Sequence, residues 1–302
     1  MEGSRGLGDV YKRQLLNVAN QIAVIAILAI GMTLVIITAG IDLSVGSLIA
    51  FSAVFASWTI REWTGGTEAS VLGIILGCLI SLMACGGLGL ISGLMIACYG
   101  VPPFVASLGM MMIASGLAYM LSGGLSIYQL PESFDWLGRG DDLAGIPNAV
   151  VLMILLYFFA HLLMSRTTAG RYVYAVGGNS EAARLSGVPV KRILLCVYAA
   201  SGTLAGLGGI VMASQFRSGD PKYGLMYELY VIAAVVVGGT SLSGGKGKVF
   251  GTLIGAFIIA VIQNGMNLTG VQSYTQKVVL GMVLLGAVLL DMLKKRGWRF
   301  SS

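Results

Sequence analysis

The sequence predicts an all-α, polytopic membrane helix bundle, and three observations carry that expectation. Hydrophobic residues make up 56% of the chain and charged ones 11%, whereas a soluble domain carries about a quarter charged residues. Apolar runs of bilayer length, about 17–25 residues, succeed one another with short polar connections. Glycine, at 44 of 302 residues, is about twice its ordinary frequency, and Gly73/Gly77, Gly202/Gly206 and Gly251/Gly255 share the GxxxG spacing that lets helix backbones approach in lipid. Mean hydropathy is +0.87. The net charge of +6 sits in the connections between apolar runs, which excludes a nucleic-acid reading. Cys78, Cys85, Cys98 and Cys196 fall inside apolar runs without metal-ligand spacing and are expected as reduced core residues. His161, the sole histidine, ends an apolar run and is expected to pack there.

In order along the chain, runs at 20–38, 45–61, 71–98, 104–122, 148–165, 192–213, 249–268 and 276–293, with a shorter one at 226–240, give about nine spans. The overlong run 71–98 is expected to tilt, or to bend near Gly86-Gly87, and Pro102-Pro103 close the helix before the next run. Residues 1–14 contain Asp9-Val10-Tyr11-Lys12-Arg13-Gln14, which looks like a translated transposon end. They are read as a sequencing scar or a disordered basic tail, leaving 15–302 as one transmembrane domain. Basic residues set the orientation. Segment 166–192 holds Arg166, Arg171, Arg184, Lys191 and Arg192 against Glu181 and is expected in the cytoplasm, as is the C-terminus with Lys294, Lys295, Arg296 and Arg299. Segment 123–147 holds Arg139 against Glu132, Asp135, Asp141 and Asp142 and is expected outside. Counting back places residue 15 outside, so one further upstream helix would give ten spans and two cytoplasmic ends. If 226–240 re-enters instead of crossing, that count changes.

The chain is organised around Met32 to Ala53, where an apolar run breaks at Ala39-Gly40, carries Asp42 and resumes after Gly46. A carboxylate between two membrane-grade runs costs several kcal/mol, about 3 or more, unless paired or hydrated. A short solvated turn meets that requirement, and so does a helix break lining a transport path. Residues 37–46 also echo 236–245 at a constant offset of 199, with four identities. Paired interrupted segments in two halves of a chain point to a transporter's path.

This stretch resembles the permease subunits of bacterial ABC sugar importers of the ribose/xylose/arabinose/galactoside type, in which segments like Gly31–Ser47, GMTLVIITAGIDLSVGS, recur. The resemblance continues through Val101–Gly109, Ala175–Gly187 and Val236–Gly251. It implies a place in the bacterial inner membrane and a role as translocation subunit for a ribose-like pentose or a hexose. Its partners would be an ATPase with two nucleotide-binding halves, a periplasmic or lipid-anchored sugar-binding protein and a second copy of the chain. Movement would be by alternating access, with ATP and Mg bound by the partner ATPase and no cofactor in this chain. Nucleosides or another small polar solute fit the same architecture. An ion-coupled carrier, with Asp42 and Glu228 as coupling acids, is the alternative of a different class.

Val235–Lys248 imitates a phosphate-binding loop and fails in detail. Gly239 and Gly244 are correctly separated, but Gly245 stands where the lysine should be and Gly247 follows Lys246 instead of Ser or Thr. In the cytoplasmic segment, Asn179 or Ser180 is a helix cap, Glu181 suits the positive helix end and Gly187 suits its terminus. That predicts about two turns of helix, with Ala182 and Ala183 allowing close approach and Arg184 and Leu185 offering a charge and an apolar knob. Glu181-Ala182-Ala183…Gly187 matches the EAAxxxG core with which permeases of this type dock into their ATPase; an amphipathic connector on the membrane surface is the plainer reading. Polar residues within or at the ends of the spans, Asp42, Ser44, Gln215, Glu228, Gln263, Asn264 and Asn267, together with Gly40 at the break, are candidates for the solute path. About half are expected to join helices instead. No cluster suited to a membrane-embedded enzyme is visible.

Overall fold

A computed structural model describes residues 2–143 and 145–295, with side-chain surroundings given for residue 16 and for 18–143 and 145–293. The basic C-terminal residues Lys294 to Arg299, used above for orientation, lie outside the described side chains. Twelve α-helices appear among the described residues: α1 (Glu2–Ile37), α2 (Val45–Trp63), α3 (Val71–Tyr99), α4 (Pro103–Ser122), α5 (Trp136–Arg139), α6 (Asn148–Arg166), α7 (Thr168–Gly178), α8 (Ser180–Leu185), α9 (Val190–Phe216), α10 (Tyr227–Val237), α11 (Val249–Leu268) and α12 (Ser273–Lys295).

Among the described residues, seven helices are long and apolar enough to cross a membrane: Val18–Ile37 within α1, then α3, α4, α6, α9, α11 and Ser273–Leu293 within α12. The expectation of nine or ten such spans is therefore corrected to seven, and the shortfall has two causes. α2 has the length, but it carries Ser47, Ser52, Ser57 and Thr59 and ends in Arg61-Glu62. α10 has only 11 residues, a rise of about 16 Å, half the bilayer core. The polar α2 survives because protein surrounds it: it packs on α3, α4 and α9. Ser52 Oγ donates to the Gly206 carbonyl at 2.7 Å, and Ser81 Oγ donates to the Ser52 carbonyl at 3.0 Å.

α1 is the axis of the bundle, touching α6, α7, α9, α10 and α11, and Ile22 to Ile37 is almost wholly buried. α3, α4, α6 and α12 turn rows of exposed apolar residues outward, for instance Leu72, Ile75, Leu79 and Met83 on α3. Such rows suit hydrocarbon, not water. Each predicted GxxxG pair lies at a helix contact: Gly73 and Gly77 against Thr64 and Ile60, Gly202 and Gly206 against Cys85, Gly251 and Gly255 against Gly238 and Ala234. All four cysteines are free, but only Cys85 is a core residue. Cys78 is half-buried and Cys98 and Cys196 are exposed, which corrects the expectation that all four lie in the core. His161 packs its ring 4.6 Å from that of Phe250.

Between α9 and α10 the chain is not helical for most of its length. This stretch lies along α2: Gly219 is beside Ala53 and Ser57, and Gly224 beside Gly46 and Ile49. The segment therefore runs antiparallel to α2 over residues 57 to 46, about 16 Å. α10 then continues in the same sense for a similar distance. On the opposite end, Ile127 and Gly219 pair as an antiparallel bridge, and Arg217 meets Glu132 at 3.3 Å, which fastens 123–147 over the end of α9.

Candidate functional site

The first helix break sits inside the bundle. α1 closes with Ala39 N–H donating to the Ile36 carbonyl at 2.9 Å and Gly40 N–H to the Val35 carbonyl at 3.0 Å, which places Ala39 in the left-handed region at φ +64°. The chain then climbs back along α9. Gly31 and Asp42 both meet Ser201, so Asp42 lies level with a residue six positions before the end of α1, about 9 Å back into the bundle. Its carboxylate is 1% exposed and accepts three hydrogen bonds, from Ser44 N–H at 3.0 Å, Ser44 Oγ at 2.6 Å and Ser201 Oγ at 2.8 Å. A solvated turn is excluded by that enclosure. Gly40, Asp42 and Ser44 are brought together, but they face α9, with Gly40 against the Tyr198 hydroxyl.

The second break, 238–248, opens with the same closure. Gly239 N–H donates to the Val236 carbonyl at 2.9 Å and Thr240 N–H to the Val235 carbonyl at 3.1 Å, with Gly239 at φ +87°. The structural register between the breaks is 200, not the 199 read from the letters: Ala39 corresponds to Gly239. The two breaks touch, since Gly245 N–H donates to the Ile37 carbonyl at 2.8 Å. α7 seals that contact. A Cβ on Gly177 would overlap the Ile37 carbonyl, and Tyr174 donates its hydroxyl to the Gly247 carbonyl at 2.8 Å. Burial raises the Tyr174 pKa, so its proton stays in place to be donated.

One residue beyond this junction begins α8. Asn179 Oδ1 accepts from Ala182 N–H at 3.0 Å, capping the helix, and Gly187 closes it at φ +83° with Val188 N–H donating to the Ala183 carbonyl at 3.0 Å. Glu181 and Arg184 pair at 2.9 Å in the open. Ala182 and Leu185 are exposed, the latter by 79%, while Ala183 turns inward. Sequence reasoning found α8 but missed α7; the amphipathic pattern of Tyr172, Val173 and Val176 was the available signal.

A cleft of about 400 Å³ opens where α10 begins, lined by Ser47 and Ala50 of α2, Met111, Ser115 and Tyr119 of α4, the 221–226 stretch and Glu228. Gly46 is pressed so closely on the Glu228 carboxylate that no side chain fits between them. Of the polar path candidates, Glu228 alone lines this cleft. Gln215 sits at the far end of α9, its carbonyl accepting from Arg139 Nε at 2.6 Å and its amide reaching Asn20 at 3.4 Å. Gln263 and Asn264 are half-buried on α11, and Asn267 Oδ1 accepts from Gln276 of α12 at 2.9 Å. Ser47, Ser115, Tyr119 and the 221–226 stretch were missed. Gly219, Pro221 and Gly224 before the short apolar run were the signal for non-helical chain there.

The family of branched-chain amino acid transport system / permease component proteins matches residues 14–288. The chain belongs to this permease family. The permease is 42% identical over 285 residues to the ribose import permease protein RbsC of Escherichia coli (strain K12), covering 92% of this chain and 85% of that one. It is 44% identical over 279 residues to RbsC of Bacillus subtilis (strain 168), covering 92% and 84%. It is 36% identical over 274 residues to the D-allose transport system permease protein AlsC of E. coli K12, covering 90% and 81%. No solved structure matches. The permease is thus a multi-pass membrane transport subunit, not a catalytic enzyme.

Proposed function

We propose that this chain is the translocation subunit of an ATP-driven, binding-protein-dependent importer for a monosaccharide. The observation that carries the reading is α8: a capped, exposed helix placed one residue from a junction that joins both helix breaks. The names of the ribose and D-allose relatives favour a sugar as the solute. α2 and the 217–237 segment supply two further crossings, the second made half of irregular, turn-rich chain and half of α10, as solute-lining segments can be. Orientation then follows the basic residues, with α8 in the cytoplasm and 123–147 outside.

In the mechanism, a two-headed ATPase grips Glu181, Ala182, Arg184 and Leu185 of α8. Asn179 and Gly187 fix the ends of that helix, and Ala183 anchors it to the bundle. ATP binding closes the ATPase and moves α8; the Gly177 contact passes the motion to the ends of α1 and α10. A binding protein delivers sugar from outside, and a second copy of the chain supplies the second docking helix. Asp42, Ser44 and Gly40 hold the first break in shape, while Glu228 stands in the path. Gln215, Gln263, Asn264 and Asn267 serve helix ends and contacts.

The test is reconstitution of the permease with its ATPase and binding protein in liposomes. ATP-dependent uptake of D-ribose or D-allose is expected. Uptake without ATP that collapses with the ion gradient would replace this reading with an ion-coupled carrier.

A further inference from the structure

We infer that the cleft at the start of α10 is a binding site for one neutral monosaccharide, held by Glu228, Ser47, Ser115 and Tyr119. This rests on the transport reading above and adds to it the point at which the solute is recognised. The cleft volume, about 400 Å³, lies within the range of small-molecule sites and accommodates a sugar ring with a little water. Its position is central: a run of turns covering about 16 Å along α2 precedes it and about 16 Å of α10 follows it.

The polar groups are uncommitted. Among the described residues, the hydroxyls of Ser47, Ser115 and Tyr119 make no hydrogen bond within the chain, although all three line the cleft. Elsewhere in the bundle Thr33, Ser52, Thr59 and Ser81 donate to backbone carbonyls. The hydroxyls of Ser57, Ser92, Tyr198 and Thr240 are also unpaired, but they are sealed among packed helices, whereas Ser47, Ser115 and Tyr119 open onto one cleft. Three unpaired hydroxyls converging on one cleft beside a carboxylate point to a partner that is not protein. Three hydroxyls can donate or accept, and the Glu228 carboxylate accepts only. A polyol, which offers several hydroxyls of both kinds and no charge, satisfies this set. The remaining walls, Ala50, Met111 and the Tyr119 ring, present apolar surface for the C–H face of a sugar. Lys222 is at the rim, beside Asp220, whose carboxylate accepts from the Lys222 backbone N–H at 2.7 Å.

The experiment uses the complete complex in liposomes, with D-ribose, D-allose and L-leucine as separate labelled probes. Three variants are compared with the parent: Glu228→Gln, Ser115→Ala with Tyr119→Phe, and Ser47→Ala. Glu228→Gln is expected to lower sugar uptake about tenfold, the loss of one hydrogen bond to a charged group. Each hydroxyl deletion should lower it about threefold, with the apparent KM for loaded binding protein unmoved. Because Ser115→Ala and Tyr119→Phe delete only unbonded hydroxyls, they keep the test decisive if Glu228→Gln fails to assemble. Parental uptake in the Ser115→Ala/Tyr119→Phe variant overturns the site. Transport of L-leucine in preference to either sugar overturns the polyol assignment while leaving the cleft as the path. A parent that takes up nothing with ATP overturns the importer reading itself, and is seen before any variant is measured.

Discussion

The two helix breaks begin alike and are then built to opposite purposes. Both end their helix with the same pair of backbone hydrogen bonds, at Ala39-Gly40 and Gly239-Thr240. The first then returns to helix within seven residues, 38–44, and every oxygen of Asp42 is engaged by Ser44 or Ser201. The second takes eleven residues, 238–248, and the position matching Asp42 is the half-buried Leu242. A further cavity of about 470 Å³ opens between its start at Gly239 and α12. One break is pinned to α9 by its own buried carboxylate. The other carries no acid of its own, is held by backbone contacts, by Tyr174 on the Gly247 carbonyl and by Ser241 donating to Asp291 of α12 at 3.2 Å, and borders a cavity. The difference bears on the proposed mechanism, which makes the first break the fixed side of a joint and the second its moving side.

The largest effect should come from removing the pin. Asp42→Leu leaves Ser44 and Ser201 without their acceptor in the bundle interior and should cost about 3 kcal/mol or more. Its midpoint in a detergent thermal-stability assay should fall by many degrees, and membrane yield should fall with it. Leu242→Ala removes a half-buried apolar side chain and should cost about 1–2 kcal/mol. Equal losses in the two variants would erase the proposed contrast between the breaks.

Next in size is the seal between them. Gly177→Ala drives a methyl group into the Ile37 carbonyl, so either α7 lifts or the Ile37–Gly245 hydrogen bond opens. Uptake per ATP hydrolysed should fall about tenfold. Gly178→Ala is the matched control, because a Cβ there meets nothing within 4 Å, and it should behave as the parent does. If both variants transport normally, the junction carries no motion.

How much of this was legible in the letters differs between the two breaks. The first was visible because a charge interrupts an apolar run, and α8 because Asn179 and Gly187 are chemically suited to its ends. What stayed hidden depends on contact between distant segments. Nothing local in Gly177 announces that it abuts Ile37, and Asp42 reads as a solvated or path-lining acid until Ser201, 159 residues away, is placed against it. The short α10 read as a marginal span because the 11-residue helix is preceded by a run of turns packed along α2, which hydropathy periodicity does not register. Likewise Ser115 and Tyr119 look like ordinary residues of an apolar run until their hydroxyls are found without partners beside Glu228.

A smaller effect is expected at α8. Glu181→Lys removes an ion pair whose members are 72% and 65% exposed, a contact worth well under about 1 kcal/mol to stability. The thermal midpoint should hold while stimulation of ATP hydrolysis by loaded binding protein falls about threefold to tenfold. A variant that kept full stimulation would remove α8 from the docking role, leaving it a surface connector.

The smallest and most selective change is Tyr174→Phe. It deletes one hydroxyl that donates to the Gly247 carbonyl at 2.8 Å and keeps the ring packed. The loss should be about 1 kcal/mol, too little to unfold the bundle, but it falls on the moving side of the joint alone. Hydrolysis should continue near the parental rate while sugar delivered per ATP drops about twofold to threefold. A Tyr174→Phe permease with lower stability and an unchanged ratio would show that α7 only braces the second break, and the transmission of movement would then have to run through the Gly177 contact with α1.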